Sequence, residues 1–441
     1  MKIQTLQDRP GLQRRRGWHP GWLLAFLCLS AQAAPGDPLT APIAVSDGTA
    51  APYLYSAVAR AGDGTAVVVY DSVLGVLARR FDAGGAPLGG DVLVNQTSGA
   101  RLPDVAANAA GDFIVSWSHL SGDDAPAILA RRFHADGVAA GGEFVVAPPL
   151  ETPLGEQSWA VSAVAADNDG DFAVVWNQGR YLAYGSPFVC ESGIGLCIDL
   201  GAYTVQLQRY DAAGAAVGSA RVLMRSADAE VQALGVPLLA GSEPDNVDIA
   251  MAPNGAFVVV WNRLGYALAP LSGTYAQTFD AEGHAGLRRV VSLQQGNQSF
   301  PAVAVDAGGS FVVAYRRESR RLNDYSNGVY ARLFPRAGIG GGEFRIDDGT
   351  ESDVMQPAVA MDAAGDFVVA WMSLQPLQQR QIRAQRYATG GHALGGNFRV
   401  NVPVPLVSAQ RAAVAMDAGG DFVVTWAEDS AVIEARFYDG P

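Results

Sequence analysis

An apolar segment preceded by a turn recurs seven times along the chain. Its clearest copies read MDAAGDFVVAW at 361–371 and MDAGGDFVVTW at 416–426, and five looser copies lie upstream. Alternate residues of such a segment point to opposite faces of a strand, and here both faces are apolar. The pattern therefore predicts a strand that is buried on both sides. Every copy ends on an aromatic residue, and these residues are Tyr70, Trp117, Trp176, Trp261, Tyr315, Trp371 and Trp426.

Each copy belongs to a longer repeat of about 50 residues. A short strand such as PAVAMD (357–362) precedes the copy, and a third strand such as LARRF (77–81) follows it. A glycine-rich turn such as DAGGAPLGG (82–90) then leads to a fourth strand such as EFRI (343–346). Four antiparallel strands in each repeat are typical of the blades of a β-propeller, where each sheet packs between two neighbours. We therefore predict an all-β protein.

The two ends of the repeat array complete each other. The seventh repeat ends at EARFYDGP (434–441) without a fourth strand, whereas PIAVSDGT (42–49) precedes the first repeat. This N-terminal segment matches EFRIDDGT (343–350), which contains the fourth strand of another repeat. The N-terminal strand is therefore expected to be the outer strand of the last blade, which leaves no open sheet edge. The prediction is a seven-bladed β-propeller closed by its N-terminal strand.

The GDFVVAW-type phrase resembles a repeat of large secreted bacterial proteins. Its Asp-x-x-Gly hairpin is more distantly similar to the FG-GAP repeats of integrin-α-type propellers. The resemblance covers the chain after its first 33 residues, and it implies adhesion or ligand display rather than a particular reaction.

The first 33 residues are typical of a secretory signal peptide. Arg14–Arg16 form a basic region, WLLAFLCLS (22–30) is a short apolar run, and Ala31-Gln32-Ala33 offers a cleavage site. We expect a signal peptide at 1–33 and a single propeller domain at 34–441, exported to the periplasm or the extracellular space.

The charge of the mature chain narrows the range of partners. Cleavage removes five positive charges and one negative charge from the formal −13, which leaves −17. Such a charge argues against binding to nucleic acid or to an anionic membrane. No later segment has transmembrane length, so membrane insertion is not expected. We expect a monomer with a protein or glycan partner.

Two cysteines remain after cleavage, Cys190 and Cys197. In an oxidising compartment an even pair at this spacing indicates one loop-closing disulfide. Two free thiols, or half of a metal site, are the alternatives.

An acidic turn in the third repeat is the candidate metal site. The integrin-type resemblance implies a calcium loop, and only DNDGD, with Asp167, Asp169 and Asp171, approaches its acidic density. The alternative is that aspartate caps its own hairpin turn. No other cofactor is expected.

Catalytic motifs are sparse along the chain. His134, His284 and His392 fall on different repeats, and no nucleophile elbow, zinc motif or phosphate loop is present. The innermost strands consist of Ala, Val, Met and Ile, which suggests a channel without an acid–base pair. The expectation is therefore that the protein is not an enzyme. The alternatives are a propeller enzyme acting on an extracellular polysaccharide or ester, and a purely structural envelope module.

Loop length varies on only one face of the predicted propeller. Loops between the second and third strands, and loops between blades, open on this face, and the longest is in the third blade. Loops on a rigid scaffold are the usual place for function. We therefore predict a binding module for an acidic glycan or protein surface, formed by the loops of blades three to five. The candidate ligand-binding residues are Arg180, Tyr181, Tyr184, Arg263, Tyr266, Arg316, Arg317, Arg320, Arg321 and Tyr325.

Overall fold

The structure is a computed structural model in which 28 strands form seven sheets. It describes residues 38–47, 52–120, 126–151, 156–182, 203–225, 247–263, 273–292, 297–318, 327–336, 338–351, 353–374, 380–402, 409–428 and 432–440. Within these ranges there is no helix, and hence none that is long and apolar enough to cross a membrane.

Each of the first four blades is built from four consecutive strands, which follow one another from the innermost outward. Blade one contains β2 (Pro52–Arg60), β3 (Ala66–Ser72), β4 (Gly75–Phe81) and β5 (Val92–Leu93). Blade two contains β6 (Ala100–Ala107), β7 (Phe113–His119), β8 (Ala127–Phe133) and β9 (Phe144–Ala147). Blade three contains β10 (Glu156–Ala166), β11 (Phe172–Leu182), β12 (Tyr203–Tyr210) and β13 (Ala216–Arg225). Blade four contains β14 (Val247–Met251), β15 (Phe257–Arg263), β16 (Gly273–Phe279) and β17 (Ala285–Val290).

The last three blades follow the same order, but the seventh takes a strand from the N-terminus. Blade five contains β18 (Asn297–Val305), β19 (Phe311–Glu318), β20 (Gly328–Phe334) and β21 (Glu343–Arg345). Blade six contains β22 (Asp353–Met361), β23 (Phe367–Leu374), β24 (Arg380–Ala388) and β25 (His392–Arg399). Blade seven contains β26 (Ala409–Met416), β27 (Phe422–Glu428), β28 (Val432–Tyr438) and, outermost, β1 (Ile43–Ala44).

The ring closes as the sequence predicted. Strand β1 pairs antiparallel with β28, the Val45 N–H donates to the Ile433 carbonyl at 2.7 Å, and neighbouring innermost strands contact each other around the ring. In blade seven Phe422 lies opposite Tyr438. Tyr438 therefore takes the place that Phe133 has in blade two.

The core lies between the blades. The predicted strand-two aromatics are almost wholly buried, with Trp117, Trp371 and Trp426 at 0% exposure. Arginines of the third strands bind carbonyl groups of neighbouring elements: Arg80 donates to Ala135 and Arg436 to Val400. These repeated residues therefore hold the scaffold together, and function has to come from positions where one blade differs from the others.

Candidate functional site

A cavity of about 310 Å³ occupies the ring axis and is lined by the innermost strands of all seven blades. Its lining residues pair with the later halves of the second strands, on the side of the second-to-third-strand loops, which we call the upper face. Most of its wall is Ala and Val, in agreement with the sequence analysis.

One level of the channel wall carries two carboxyl groups. Each innermost strand contributes one residue to this level. That residue pairs with the second-strand residue that directly precedes the strand-two aromatic. Five blades place alanine there, whereas blades two and four place aspartate. The residues, in ring order, are Ala57, Asp104, Ala163, Asp248, Ala302, Ala358 and Ala413.

The two aspartates make the same contact with the following blade. The Val164 N–H donates to Oδ2 of Asp104 at 2.8 Å, and the Val303 N–H donates to Oδ2 of Asp248, also at 2.8 Å. In both cases the donor belongs to the innermost strand of the following blade. Each carboxylate is thus anchored by a backbone group and faces the cavity. The channel wall thus contains two carboxyl groups, and the expected wall of Ala, Val, Met and Ile alone is wrong.

The rim of the channel is formed by strained backbone. Leu102, Phe300, Gln356 and Arg411 have φ between 46° and 52°, and each lies where an innermost strand changes register. A residue other than glycine in this conformation costs about 1–3 kcal/mol and is often found at functional sites. All four residues line the cavity, although Phe300 is buried and Leu102 packs against a core cluster.

A buried carboxyl group supports this rim between blades one and two. Oδ1 of Asp71 accepts the Tyr55 N–H at 3.1 Å, and the carboxyl also accepts the N–H of Leu102. Burial raises the pKa of the Asp71 carboxyl, against these hydrogen bonds and the charges of Arg101 and Arg411. The Arg411 guanidinium lies 3.7 Å from the centre of the Tyr55 ring. The rim is therefore both cationic and aromatic on this side.

Sequence reasoning overlooked a variable position next to these groups. The residue directly after the strand-two aromatic is buried in every blade, yet its chemistry differs from blade to blade. The residues are Asp71, Ser118, Asn177, Asn262, Arg316, Met372 and Ala427. Aligning the repeats residue by residue, rather than comparing loop lengths, would have revealed it.

The predicted binding arginines that the structure describes are held in ion pairs. Arg316 lies 2.5 Å from Glu318 and 3.1 Å from Asp353 of blade six. Arg317 forms an ion pair with Glu343, and its guanidinium lies 3.6 Å from the centre of the Tyr330 ring. Their charges are thus balanced within the protein.

The remaining predicted residues do not have described side chains. Arg180 and Tyr181 belong to β11 and Arg263 ends β15. The others lie outside the described residues, as do both cysteines of the predicted disulfide: Tyr184, Cys190, Cys197, Tyr266, Arg320, Arg321 and Tyr325.

The acidic turn of blade three is a capped hairpin. Oδ1 of Asp167 accepts the N–H groups of Asp169 and Asp171, both at 3.0 Å. Oδ1 of Asp171 accepts the Ala212 N–H at 2.8 Å. Asp362 and Asp366 do the same in blade six, where a third acid is missing. The geometry is that of an Asx turn, and calcium binding stays a prediction.

Comparisons with known proteins agree with the fold. No family model and no curated protein matches the chain, so the FG-GAP likeness stays a resemblance. An arabinanase from Penicillium chrysogenum is 13% identical, with a TM-score of 0.46 and 92% of this chain and 98% of that chain covered. NanB sialidase from Streptococcus pneumoniae is 7% identical, with a TM-score of 0.49 and the same coverage. An arabinofuranosidase from Fusarium graminearum is 12% identical, with a TM-score of 0.44 and 77% and 93% covered.

The expectation that the protein is not an enzyme is corrected. Structures with this fold include these three glycoside hydrolases, although at such identities the likeness concerns the fold alone. The expectation also rested on a channel without carboxyl groups, and Asp104 and Asp248 overturn that premise.

Proposed function

We propose that the protein acts on an extracellular glycan taken up at the upper mouth of the channel, and that it cleaves a glycosidic bond. The observation that carries the proposal is the pair Asp104 and Asp248, at one level of a wall that is otherwise alanine. Fixed carboxyl groups facing a cavity are the groups that glycoside hydrolysis needs.

The two carboxyl groups would have different roles in the reaction. One donates a proton to the leaving oxygen, and the other acts as a base towards water or as a nucleophile towards the sugar. The backbone hydrogen bonds from Val164 and Val303 hold both groups in place, which favours a defined geometry during reaction. Arg411, held over Tyr55 at the rim, supplies donors for sugar hydroxyl or carboxylate oxygens.

The test is release of reducing ends from a panel of plant, bacterial and animal polysaccharides. Asp104→Asn and Asp248→Asn should each lower the rate by about 10²–10⁴. Asparagine still accepts the backbone hydrogen bond, so the melting temperature should not change. Asp136→Asn, in an exposed lower-face turn, is the matched control. Wild-type protein that releases no reducing ends contradicts the activity, and full activity in both channel variants contradicts the site.

The same proposal includes a recognition surface for an acidic glycan or protein, formed by the loops of blades three to five. Arg316 and Arg317 lie on the upper face, but their charges are balanced. We therefore assign recognition to Arg320 and Arg321, which lie beyond the end of β19. Replacing both by serine should weaken salt-sensitive retention on an acidic polysaccharide column. Replacing Arg336, an exposed residue that follows β20 on the opposite face, should leave retention unchanged, and equal retention of both variants contradicts this assignment.

A further inference from the structure

The seam between blades seven and one differs from the other described seams in its outer part. The Asp47 N–H donates to Oδ2 of Asp91 at 3.0 Å, and the Asp91 N–H donates to Oδ2 of Asp47 at 3.2 Å. Each aspartate thus binds the backbone of the other across the seam. Asp47 follows β1, the strand that closes the ring, and Asp91 precedes β5.

The next seam repeats this arrangement with different chemistry. The Gln96 N–H donates to Oε2 of Glu143 at 2.7 Å, and the Glu143 N–H donates to Oε1 of Gln96 at 3.0 Å. There an uncharged amide side chain faces a carboxyl group. At the closing seam two carboxyl groups face each other, and they repel when both are ionised.

Among the described residues, few other charged groups face the pair. The Tyr70 hydroxyl donates to Oδ2 of Asp91 at 2.7 Å. Arg79 lies near Tyr70, but its guanidinium donates to the Val45 carbonyl at 2.8 Å. Burial first, and then the side-chain hydrogen bond with Asp47 and the repulsion from it, raise the pKa of the Asp91 carboxyl, against the hydrogen bonds from the Tyr70 hydroxyl and the Asp47 N–H.

We propose that Asp47 and Asp91 form a proton-sensitive latch on the closing seam: the closed seam holds one proton between the two carboxyl groups, and it loosens when that proton leaves. No covalent step is involved. Because an acid with a raised pKa in the folded state binds its proton more tightly there, stability is full at low pH and falls as pH rises through the folded pKa. Acidification should therefore tighten the ring where the chain ends meet.

The test measures hydrogen-exchange protection factors of residues 43–45 in the full chain between pH 3.5 and pH 8. All proteins compared carry Glu434→Gln, because Glu434 lies opposite Ala44 and its pKa is raised to about 7. Wild type here means the chain with no other change. In the wild type these factors should fall as pH rises, by roughly two- to fivefold, as expected for like charges placed opposite each other. Asp47→Asn recreates the amide–carboxylate pair of the next seam, so its protection should stay constant. Asp91→Asn can still accept the Tyr70 hydrogen bond and should behave in the same way.

Gln96→Glu is the converse experiment. It places two carboxyl groups on the seam between blades one and two, and should introduce the same pH dependence at residues 92–94 while leaving residues 43–45 unchanged. The latch is refuted if Asp47→Asn retains the wild-type pH dependence. It is equally refuted if Gln96→Glu introduces none, because facing carboxyl groups would then not be the cause.

Discussion

At the scale of single residues, the channel wall shows how one substitution changes the chemistry of a repeated position. Innermost strands are edge strands, so their outward N–H groups face the channel. An alanine leaves such a group to water, whereas Asp104 and Asp248 bind it and bring a charge into the cavity. The same backbone thus supports either an apolar or an acidic wall.

The signal for these two residues was present in the sequence. LPDVAA at 102–107 and NVDIAM at 246–251 place aspartate where PAVAMD at 357–362 has alanine. The loop-length comparison could not detect it, because a substitution changes no length. By contrast, the ion pairs of Arg316 and Arg317 could not be predicted, since Asp353 and Glu343 come from strands distant in sequence.

A first prediction concerns Glu434 on β28. Burial, together with repulsion and a hydrogen bond from Glu428, raises the pKa of Glu434 to about 7. The Trp426 indole N–H donates to Oε1 of Glu428 at 3.2 Å, which fixes that neighbour. Since the raised pKa belongs to the folded state, wild-type stability should fall as pH rises through about 7.

Replacing Glu434 by glutamine removes this titration. Thermal melting from pH 5 to pH 9 should therefore show a higher melting temperature than the wild type above pH 7 and an equal one at pH 5. Glu428→Gln should flatten the curve only in part, because it removes the repelling partner while burial still raises the pKa of Glu434. A Glu434→Gln variant whose melting curve follows the wild type at every pH would contradict the assignment.

At the scale of the strand, the hydrophobic pattern predicted the elements but not their bulges. Strand faces follow from alternation, whereas a register shift depends on how the strand meets its neighbour. A local signal did exist at three of the four bulges, because Pro103, Pro301 and Pro357 directly follow the left-handed residues. Proline inside an apolar strand indicates an edge or a bulge.

A second prediction tests the strain at the rim. Gln356 has a φ of 50°, a conformation that costs a non-glycine residue about 1–2 kcal/mol. Glycine adopts it freely but loses about 0.5–1 kcal/mol of chain entropy, so Gln356→Gly should be slightly more stable than the wild type. Gln356→Ala removes the same side chain and keeps the strain. Chemical denaturation should rank the glycine variant above the alanine variant, and the reverse order contradicts a strained rim.

At the scale of the whole molecule, the repeats made the ring predictable. The match between 42–49 and 343–350 is enough to assign β1 to the seventh blade. The chemistry of the closing seam was not predictable in the same way. Asp47 and Asp91 are 44 residues apart, and only the closed ring brings them together.

The third prediction is that deleting residues 38–47 destabilises the ring. The deletion removes the wholly buried Val45, whose burial contributes about 1.5–3 kcal/mol. It also removes the carbonyl that Arg79 binds and exposes the edge of β28. We expect a lower denaturation midpoint and concentration-dependent association in size-exclusion chromatography, since an unpaired edge recruits other chains.

A circular permutant tests whether the deletion acts through the lost pairing of β1 or through the shortened N-terminus. In this variant residues 34–47 follow Pro441 through a short flexible linker, so β1 can still pair with β28. If pairing with β28 is what the segment contributes, the permutant should be monomeric and should recover the wild-type denaturation midpoint. A deletion variant that stays monomeric with an unchanged midpoint would show that the seventh blade needs no fourth strand. A permutant as unstable as the deletion would show that the segment acts through its position at the N-terminus.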